Sequence, residues 1–309
     1  PLEGATMAGT KRTSRARAAK GTAKGTAKGT AKGTAKGTAT TRRAAKASRP
    51  TAPTPRRPQA ASPAGDARTA VVTARRAGGT ARILNCLPSP DQADDWDIAS
   101  AQAAGMLASR AQLPASVDLR ADWWKIGDQG GTGSCVGWAT ADSVLRWHFV
   151  SSGRVAERDK LSVRFVWMAA KETDEFSNRP TTFIEPEGTS LKAALDVARR
   201  YGVVRDTDLP FSRPKLFAGD AKAFYLLASQ LKIAAYVNLG RDPTAWRQWL
   251  ATQGPILTRL DCDDTWMGAK ATKGVLDTYD AASASGGHAV AMVGYTADHL
   301  IVRNSWGTS

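Results

Sequence analysis

Hydrophobic residues recur with a helical period over much of the middle of the chain. The clearest run follows Ser134. Its apolar stripe consists of Trp138, Ala141, Leu145 and Phe149. This spacing predicts a helix over about 134–150, with the Ser134 hydroxyl as its N-cap. Similar patterns predict helices over 91–110, 161–174, 190–201, 220–231 and 242–251, of which the helix over 190–201 is capped by Thr189 and ended by Gly202.

Apolar runs that are typical of strands dominate the last part of the chain. The predicted strands cover 82–87, 233–239, 255–262, 288–295 and 300–305, and a turn over 296–299 joins the last two. Helices first and strands later indicate an α+β fold with a helical half, a β half and a cleft between them. If the last two strands pair as an antiparallel hairpin, Asn304 returns almost opposite His288.

The net positive charge of the chain comes from its N-terminal part alone. Residues 1–82 contain 19 Lys and Arg against 2 Asp and Glu, a net of +17, which leaves 24 basic and 26 acidic residues for the rest. Residues 19–39 repeat Ala-Lys-Gly-Thr five times and offer no large apolar side chain to bury. We therefore expect residues 1–80 to be a disordered basic tail of low complexity. Its spaced cations can bind nucleic acid phosphates without sequence preference, and the alternative is a solvated spacer.

The cysteines and the apolar runs limit the environment of the protein. Cys86, Cys135 and Cys262 are too few and scattered for a disulfide framework, which favours a reducing compartment. Only Cys135 follows a donor-rich loop, so we interpret the other two as inert packing or surface thiols. No apolar run near the N-terminus suits a signal peptide or a membrane span, which predicts a cytoplasmic protein without membrane contact.

No metal or organic cofactor is expected. Zinc needs about four convergent ligands, and no spacing of Cys and His in this chain offers them. The acidic run over 261–264 is more typical of a solvated loop than of a metal site.

The glycine-rich loop 128–134 leads directly into Cys135, where the helix predicted over 134–150 begins. A thiol at that position feels the positive end of the helix dipole, which favours the thiolate. The side-chain amide of Gln129 can donate to an oxyanion beside the sulfur, and the backbone N–H of Cys135 can be the second donor. The loop therefore has the features of an activated nucleophile.

These motifs resemble those of the papain-like cysteine peptidases. The resemblance rests on Gln129 followed by Ser134-Cys135, on Gly-His-Ala-Val at 287–290 and on Asn-Ser-Trp-Gly at 304–307. It covers roughly residue 113 to the end and implies a two-lobed α+β fold with the active-site cleft between a helical and an antiparallel β lobe.

The resemblance also implies the roles of individual residues. The implied roles are Cys135 as nucleophile, His288 as base, Asn304 as the residue that orients the base and Gln129 as oxyanion donor. Residues 255–261 would line the cleft near the pocket that selects the substrate.

The other histidines fit catalysis less well. His148 lies 13 residues along the nucleophile's own helix, about 20 Å away at ~1.5 Å per residue, so we interpret it as structural or surface. His299 falls in the predicted turn, where a solvated histidine is typical. His288 is left as the base, and Trp306 can shield its contact with Asn304 from water.

Residues 81–112 are expected to form an N-terminal arm. The arm occupies the place of the inhibitory propeptide in the papain-like family but is shorter and lacks its motif, so we favour an arm packed on the enzyme over an inhibitory segment. The peptidase-like domain, 113–309, is expected to be C-terminally truncated because family members normally continue further. Its last hairpin would then expose an apolar face that carries Val290, Met292 and Ile301.

The sequence thus predicts a cysteine peptidase that hydrolyses protein or peptide substrates through a Cys-His-Asn triad and a thioester acyl-enzyme. Two alternatives stay open: an acyl transferase or transpeptidase that uses the same residues, and a nucleic-acid-associated protein whose peptidase-like domain only binds. Val136 replaces the usual aromatic residue of the family, and residues 187–188 are an unanchored match to its substrate-binding glycine pair. These departures leave the substrate preference open.

Overall fold

The computed structural model of the protein describes residues 73–74, 82–90, 94–107, 112–173, 188–212 and 217–308. Its α-helices are α1 (Ile98–Ala103), α2 (Cys135–Gly137), α3 (Arg146–Ser151), α4 (Val163–Thr173), α5 (Leu191–Arg200), α6 (Ala221–Ser229), α7 (Pro243–Thr252) and α8 (Asp264–Gly268). A π-helical segment, Trp138–Leu145, joins α2 to α3 so that one continuous helix runs over 135–151. Apart from 73–74, the tail predicted over 1–80 lies outside the described residues.

Side-chain caps define where several helices begin. Asp97, Asp220 and Asp242 accept hydrogen bonds from first-turn amides of α1, α6 and α7 at 2.7–2.9 Å. Ser190 caps α5 in the same way at 3.2 Å. The sequence-based assignment of this cap to Thr189 is wrong, because the extended residue that directly precedes the helix is Ser190.

Two further helix predictions need correction. Ser134 does not cap α2, because its φ and ψ of −87° and 13° are not extended. Its hydroxyl instead pairs with that of Thr132 at 2.6 Å. The helix predicted over 91–110 is helical only in α1 among its described residues, and the chain turns at Gly105 with a φ of +71°.

The β half is organised around one long strand. The strands are β1 (Thr73–Ala74), β2 (Arg82–Ile83), β3 (Cys86–Leu87), β4 (Val117–Asp118), β5 (Thr189–Ser190), β6 (Ile256–Cys262), β7 (Gly286–Tyr295) and β8 (Leu300–Arg303). β7 pairs antiparallel with β4, β6 and β8. β3 pairs in parallel with β5. The fold is therefore α+β, as the order of helices and strands predicted.

Two strand predictions are wrong. Residues 233–239 are described throughout and form no strand; Asn238 makes only a single bridge to Asp97. The stretch 82–87, predicted as one strand, is split into β2 and β3, which pair with different partners. In both cases the apolar pattern is short, and tertiary contacts decide the outcome.

The expected exposed face of the last hairpin is not present. Val290 and Met292 are buried, and Ile301 is half-buried. β6 pairs with β7 over seven residues, from Ile256 opposite Met292 to Cys262 opposite Gly286, and covers its edge, while the packing of Met292 with Leu250 of α7 covers the face. β7 is consequently a central strand rather than half of an uncovered ribbon.

The apolar core brings the start of the long helix against the sheet. Cys135 and Val136 belong to the same buried cluster as Val166 of α4, Ala194 of α5 and Ala289 of β7. The first turn of the helix therefore lies beside the residue that follows His288. This contact between the two halves positions the candidate site.

Candidate active site

The thiol of Cys135 stands at the first residue of α2 and is completely buried. Burial raises the pKa of this thiol above its ordinary value, although backbone groups of Ala289, Asn85 and Val136 act in the opposite direction. In this conformation the thiol of Cys135 is therefore favoured over the thiolate, although the backbone groups at the helix start favour the thiolate as expected. Loss of solvent outweighs these backbone contacts.

His288 and Asn304 meet at neighbouring ends of β7 and β8. Nε2 of His288 lies 2.7 Å from Oδ1 of Asn304, and the same Oδ1 accepts a hydrogen bond from the backbone N–H of Ser305 at 2.7 Å. Because an amide oxygen only accepts, Nε2 of His288 carries the proton and Nδ1 keeps a lone pair. Nδ1 is buried and finds no hydrogen-bond partner within the described part of the chain. The imidazole thus retains an unoccupied basic nitrogen.

Aromatic rings enclose this imidazole. The ring of Trp306 stacks on His288 with 4.8 Å between centroids, and the ring of Trp266 meets it edge-on at 6.1 Å. Burial lowers the pKa of His288 to about 4; the hydrogen bond to Asn304 opposes this shift, and the charge of Arg82 adds to it. His288 is consequently neutral at neutral pH, the form that can accept a proton.

Gln129 is held by its contacts with Ser305. Its Oε1 accepts a hydrogen bond from the Ser305 hydroxyl at 2.8 Å, and its backbone N–H donates to the Ser305 carbonyl at 2.8 Å. The amide nitrogen Nε2 therefore points away from Ser305 and donates to the carbonyls of Thr132 at 3.0 Å and Ile83 at 3.4 Å. Sequence reasoning missed Ser305 because a serine inside the motif at 304–307 has no pattern that marks it as a positioning residue.

A buried ionic network fixes the end of β8. Arg303 donates to Asp142 at 2.7 Å, and Asp142 also accepts from Arg146 at 3.2 Å. Arg303 directly precedes Asn304, so the network ties the candidate orienting residue to the long helix that begins at Cys135. Sequence reasoning missed this network, although an aspartate inside the apolar helical run 139–145 was a signal that could have found it.

The two histidines that the sequence analysis set aside make contacts elsewhere, whereas Cys262 lies near enough to Cys135 that burial and then the charge of Cys135 raise its pKa. His148 stands on α3 with its ring edge-on to Trp147, and burial lowers its pKa. His299 is exposed and pairs with Asp277 at 2.8 Å. Cys262 is buried at the end of β6, and burial raises its pKa.

The acidic run over 261–264 is occupied by contacts within the chain. Asp261 pairs with Arg259 at 2.8 Å. Asp263 accepts from the Thr265 hydroxyl and the Asp280 amide, both at 2.6 Å. Among the described residues no group of three or more His, Cys, Asp or Glu is arranged to hold a metal ion.

Residues 82–87 of the arm, which we call the covering segment, lie across the site. The Ile83 carbonyl accepts from Gln129, as described above. Burial raises the pKa of the Cys135 thiol, and a backbone hydrogen bond of Asn85 to the Cys135 sulfur opposes this shift. The Cys86 carbonyl accepts a hydrogen bond from Nε of Arg259 at 2.9 Å. Cys135 and His288 are both 0% exposed. In this conformation a substrate has no access to the thiol.

Gly188 shows how closely the covering segment approaches the domain. A Cβ added to Gly188 would overlap the carbonyl oxygen of Asn85. Glycine is therefore required there for the segment to pass. This contact puts Gly188, which the sequence analysis could not anchor, at the same cleft as Cys135.

Comparison with known proteins identifies the family. A family model described as papain family cysteine protease matches residues 113–309, well over half of the chain. The chain belongs to the papain family of cysteine proteases. It is 28% identical over 220 residues to cathepsin B-like CP3 of Giardia intestinalis, and this match covers 64% of this chain and 67% of that protein. The crystal structure of xylellain, a cysteine protease from Xylella fastidiosa, matches with a TM-score of 0.57 at 21% identity, covering 76% of this chain and 87% of that chain.

Membership of the papain family confirms the resemblance seen in the sequence and makes the protein a cysteine peptidase, a hydrolase. The similarity to xylellain confirms the papain-like α+β fold. Within the described residues, no helix has the length and apolar character to cross a membrane.

Proposed function

We propose that the protein is an endopeptidase that hydrolyses peptide bonds with Cys135 as nucleophile, His288 as base, Asn304 as orienting residue and Gln129 as oxyanion donor. The observation that carries this proposal is the state of His288. Asn304 fixes Nε2 as the donor, which leaves Nδ1 buried, without a hydrogen-bond partner among the described residues, and available as a base. Ala289, the next residue, acts on the Cys135 sulfur, so the base and the thiol belong to one site.

The first half of the reaction forms a thioester. The proton of the Cys135 thiol moves to Nδ1 of His288, and the sulfur attacks the carbonyl carbon of the substrate. The carbonyl oxygen becomes an oxyanion that accepts from Nε2 of Gln129 and from the backbone N–H of Cys135. The imidazolium then protonates the leaving amine as the C–N bond breaks.

The second half releases the acid. Water gives a proton to Nδ1 of His288 and attacks the thioester carbon, and the carboxylic acid departs as the sulfur recovers its proton. Asn304 holds the ring in one tautomer through both halves. In the covered conformation burial lowers the pKa of His288 to about 4 and keeps the ring neutral, so Nδ1 is in its acceptor form when the segment leaves.

The covering segment must move before this chemistry can begin. The Ile83 carbonyl uses the donor on Gln129 that an oxyanion needs. Cys135 and His288 are fully buried. The sequence left two alternatives for the arm, a packed arm and an inhibitory segment. We propose that both hold, because the arm packs on the enzyme and thereby blocks the active site.

Labelling tests the proposed nucleophile. The full chain is incubated with an epoxide-type inhibitor of papain-like enzymes, and the modified residue is mapped by mass spectrometry. We expect slow modification at Cys135 and loss of peptidase activity in Cys135→Ala. Cys262→Ala, the matched control at another buried thiol, should keep activity. Labelling at Cys86 or Cys262, or an active Cys135→Ala variant, would contradict the assignment.

A further inference from the structure

The guanidinium of Arg82 occupies a polar socket at one end of the covering segment. It donates to Oδ1 of Asp128 at 2.5 Å, to the Trp306 carbonyl at 3.0 Å and to the Gly130 carbonyl at 3.3 Å. Its central carbon lies 5.9 Å from the centre of a Trp306 ring, and the side chain is 12% exposed. We call Asp128, Gly130 and Trp306 the Arg82 socket.

The carboxylate of the socket is fixed by the peptidase domain itself. Oδ1 of Asp128 accepts the backbone N–H of Gly130 at 2.9 Å, and Asp128 forms an antiparallel bridge with Trp306. Burial raises the pKa of Asp128, but the hydrogen bonds from Arg82 and Gly130 and the charge of Arg82 outweigh it, so the net pKa lies below the ordinary value. With Arg82 in place, the socket therefore holds a carboxylate beside two carbonyl acceptors.

The socket borders the proposed catalytic groups. Gln129 stands between Asp128 and Gly130 in the chain, and Trp306 stacks on His288. At the other end of the covering segment the domain supplies the donor instead, because Arg259, which is paired with Asp261, donates to the Cys86 carbonyl. The two ends of the cleft therefore differ in the groups that they offer to a peptide.

We propose that the Arg82 socket is a substrate subsite for a basic side chain, arginine above all, and that Arg82 occupies it while the covering segment is in place. This inference rests on the proposed peptidase function. When the segment leaves, one carboxylate and two carbonyls together lose the donor that Arg82 supplies. A substrate guanidinium, with its planar fork of N–H donors, can replace all three contacts, whereas an ammonium group replaces fewer and a carboxylate is repelled.

Cleavage kinetics test the subsite in the full chain. Arg82→Ala frees the socket, and kcat/KM is measured on quenched peptides that differ at one position, which carries Arg, Lys, Gln or Glu. The substituted position is moved residue by residue through both sides of the scissile bond. At one substrate position, on the Trp306 side, we expect kcat/KM for the Arg peptide to exceed kcat/KM for the Gln peptide by roughly tenfold. This is the size expected for a charge-assisted hydrogen bond.

Charge variants show whether the socket causes the preference. In the Arg82→Ala background, Asp128→Asn should reduce the ratio of kcat/KM for Arg and Gln peptides to about one, and Asp128→Arg should turn the preference towards Glu. Asp261→Asn is the matched control at the other end of the segment, since both carboxylate side chains are 52% exposed. It should leave the ratio at the Trp306-side position as it was.

Binding gives a readout that does not need turnover. In the Cys135→Ala, Arg82→Ala variant, calorimetry compares intact Arg and Gln peptides; the Arg peptide should bind roughly tenfold tighter, and added salt should reduce the difference. Equal affinities, a difference that survives Asp128→Asn, or cleavage without a charge preference would overturn the subsite. Absence of any cleavage by Arg82→Ala protein whose Cys135 is open to alkylation, together with tighter Arg binding, would overturn the peptidase proposal and keep the socket.

Discussion

Truncation of Leu84 should open the site without altering a proposed catalytic group. Leu84 lies in the middle of the covering segment and is 2% exposed. Replacing a buried leucine with alanine costs about 2–5 kcal/mol. We use the lower end, ~2 kcal/mol, because a short segment can relax more easily than a core. At ~1.4 kcal/mol for each factor of ten, the open fraction should rise roughly 30-fold.

Alkylation of Cys135 reports this fraction. If the segment opens and closes faster than iodoacetamide reacts, the modification rate is proportional to the open population. Mass spectrometry of the full chain at one fixed pH should therefore show Cys135 of Leu84→Ala modified roughly 30-fold faster than in the unsubstituted protein.

The matched control is the same substitution at a buried leucine away from the arm. Leu250 on α7 is 1% exposed and packs with Ile256, Met292 and Tyr295 under the sheet. Leu250→Ala should lower Tm but leave alkylation of Cys135 near its original rate. An unchanged rate in Leu84→Ala, or equal acceleration in both variants, would refute the covering mechanism.

Three other measurements follow from the structure and the sequence. Once the segment is open, Asn304→Ala should lower kcat less than His288→Ala, because it removes orientation and leaves the base; equal losses would contradict this. The pKa of His288 in the covered state lies below its ordinary value of about 6.5, so only the open state gains a proton as pH falls from 6.5 to 4. The covered state should therefore lose up to about 3 kcal/mol relative to the open state over that range. Hydrogen exchange in β3, corrected for intrinsic rates, should accelerate between pH 6.5 and 4 and should not accelerate above pH 6.5. The +17 charge of residues 1–82 should give weak, salt-sensitive binding to duplex DNA that a chain starting near residue 81 lacks.

The sequence predicted what depends on long periodic runs and on specific motifs. α4, α5, α7 and β6 begin and end within a few residues of their predicted positions, because each has a clear apolar period and a cap or breaker at its end. The order of helices and strands was enough for the α+β class. The motifs at 287–290 and 304–307 were specific enough to indicate the family.

The rest depends on contacts between residues that are distant in the chain. Serine is a favoured N-cap residue, but the Ser134 hydroxyl forms a hydrogen bond with the nearby Thr132 hydroxyl instead of capping the helix. The role of Ser305 becomes visible only when Gln129, 176 positions earlier, is seen to accept its hydrogen bond. Arg82 lies in a basic stretch where composition suggests a solvated cation, yet it reaches Asp128 across 46 positions. Local propensity carries no information about such pairs.

The reactivity of Cys135 depends more on the covering segment than on the helix that begins at the thiol. A helix N-terminus stabilises a negative charge by about 0.3–1 kcal/mol, less than one pKa unit at ~1.36 kcal/mol per unit. Burial acts against the thiolate and is the larger effect, since the pKa of Cys135 is raised overall. Removal of the segment returns solvent to the sulfur and takes away Asn85, but the backbone groups of Ala289 and Val136 stay. The balance should then shift towards the thiolate, so we expect one displacement both to open the cleft and to lower the pKa of the proposed nucleophile.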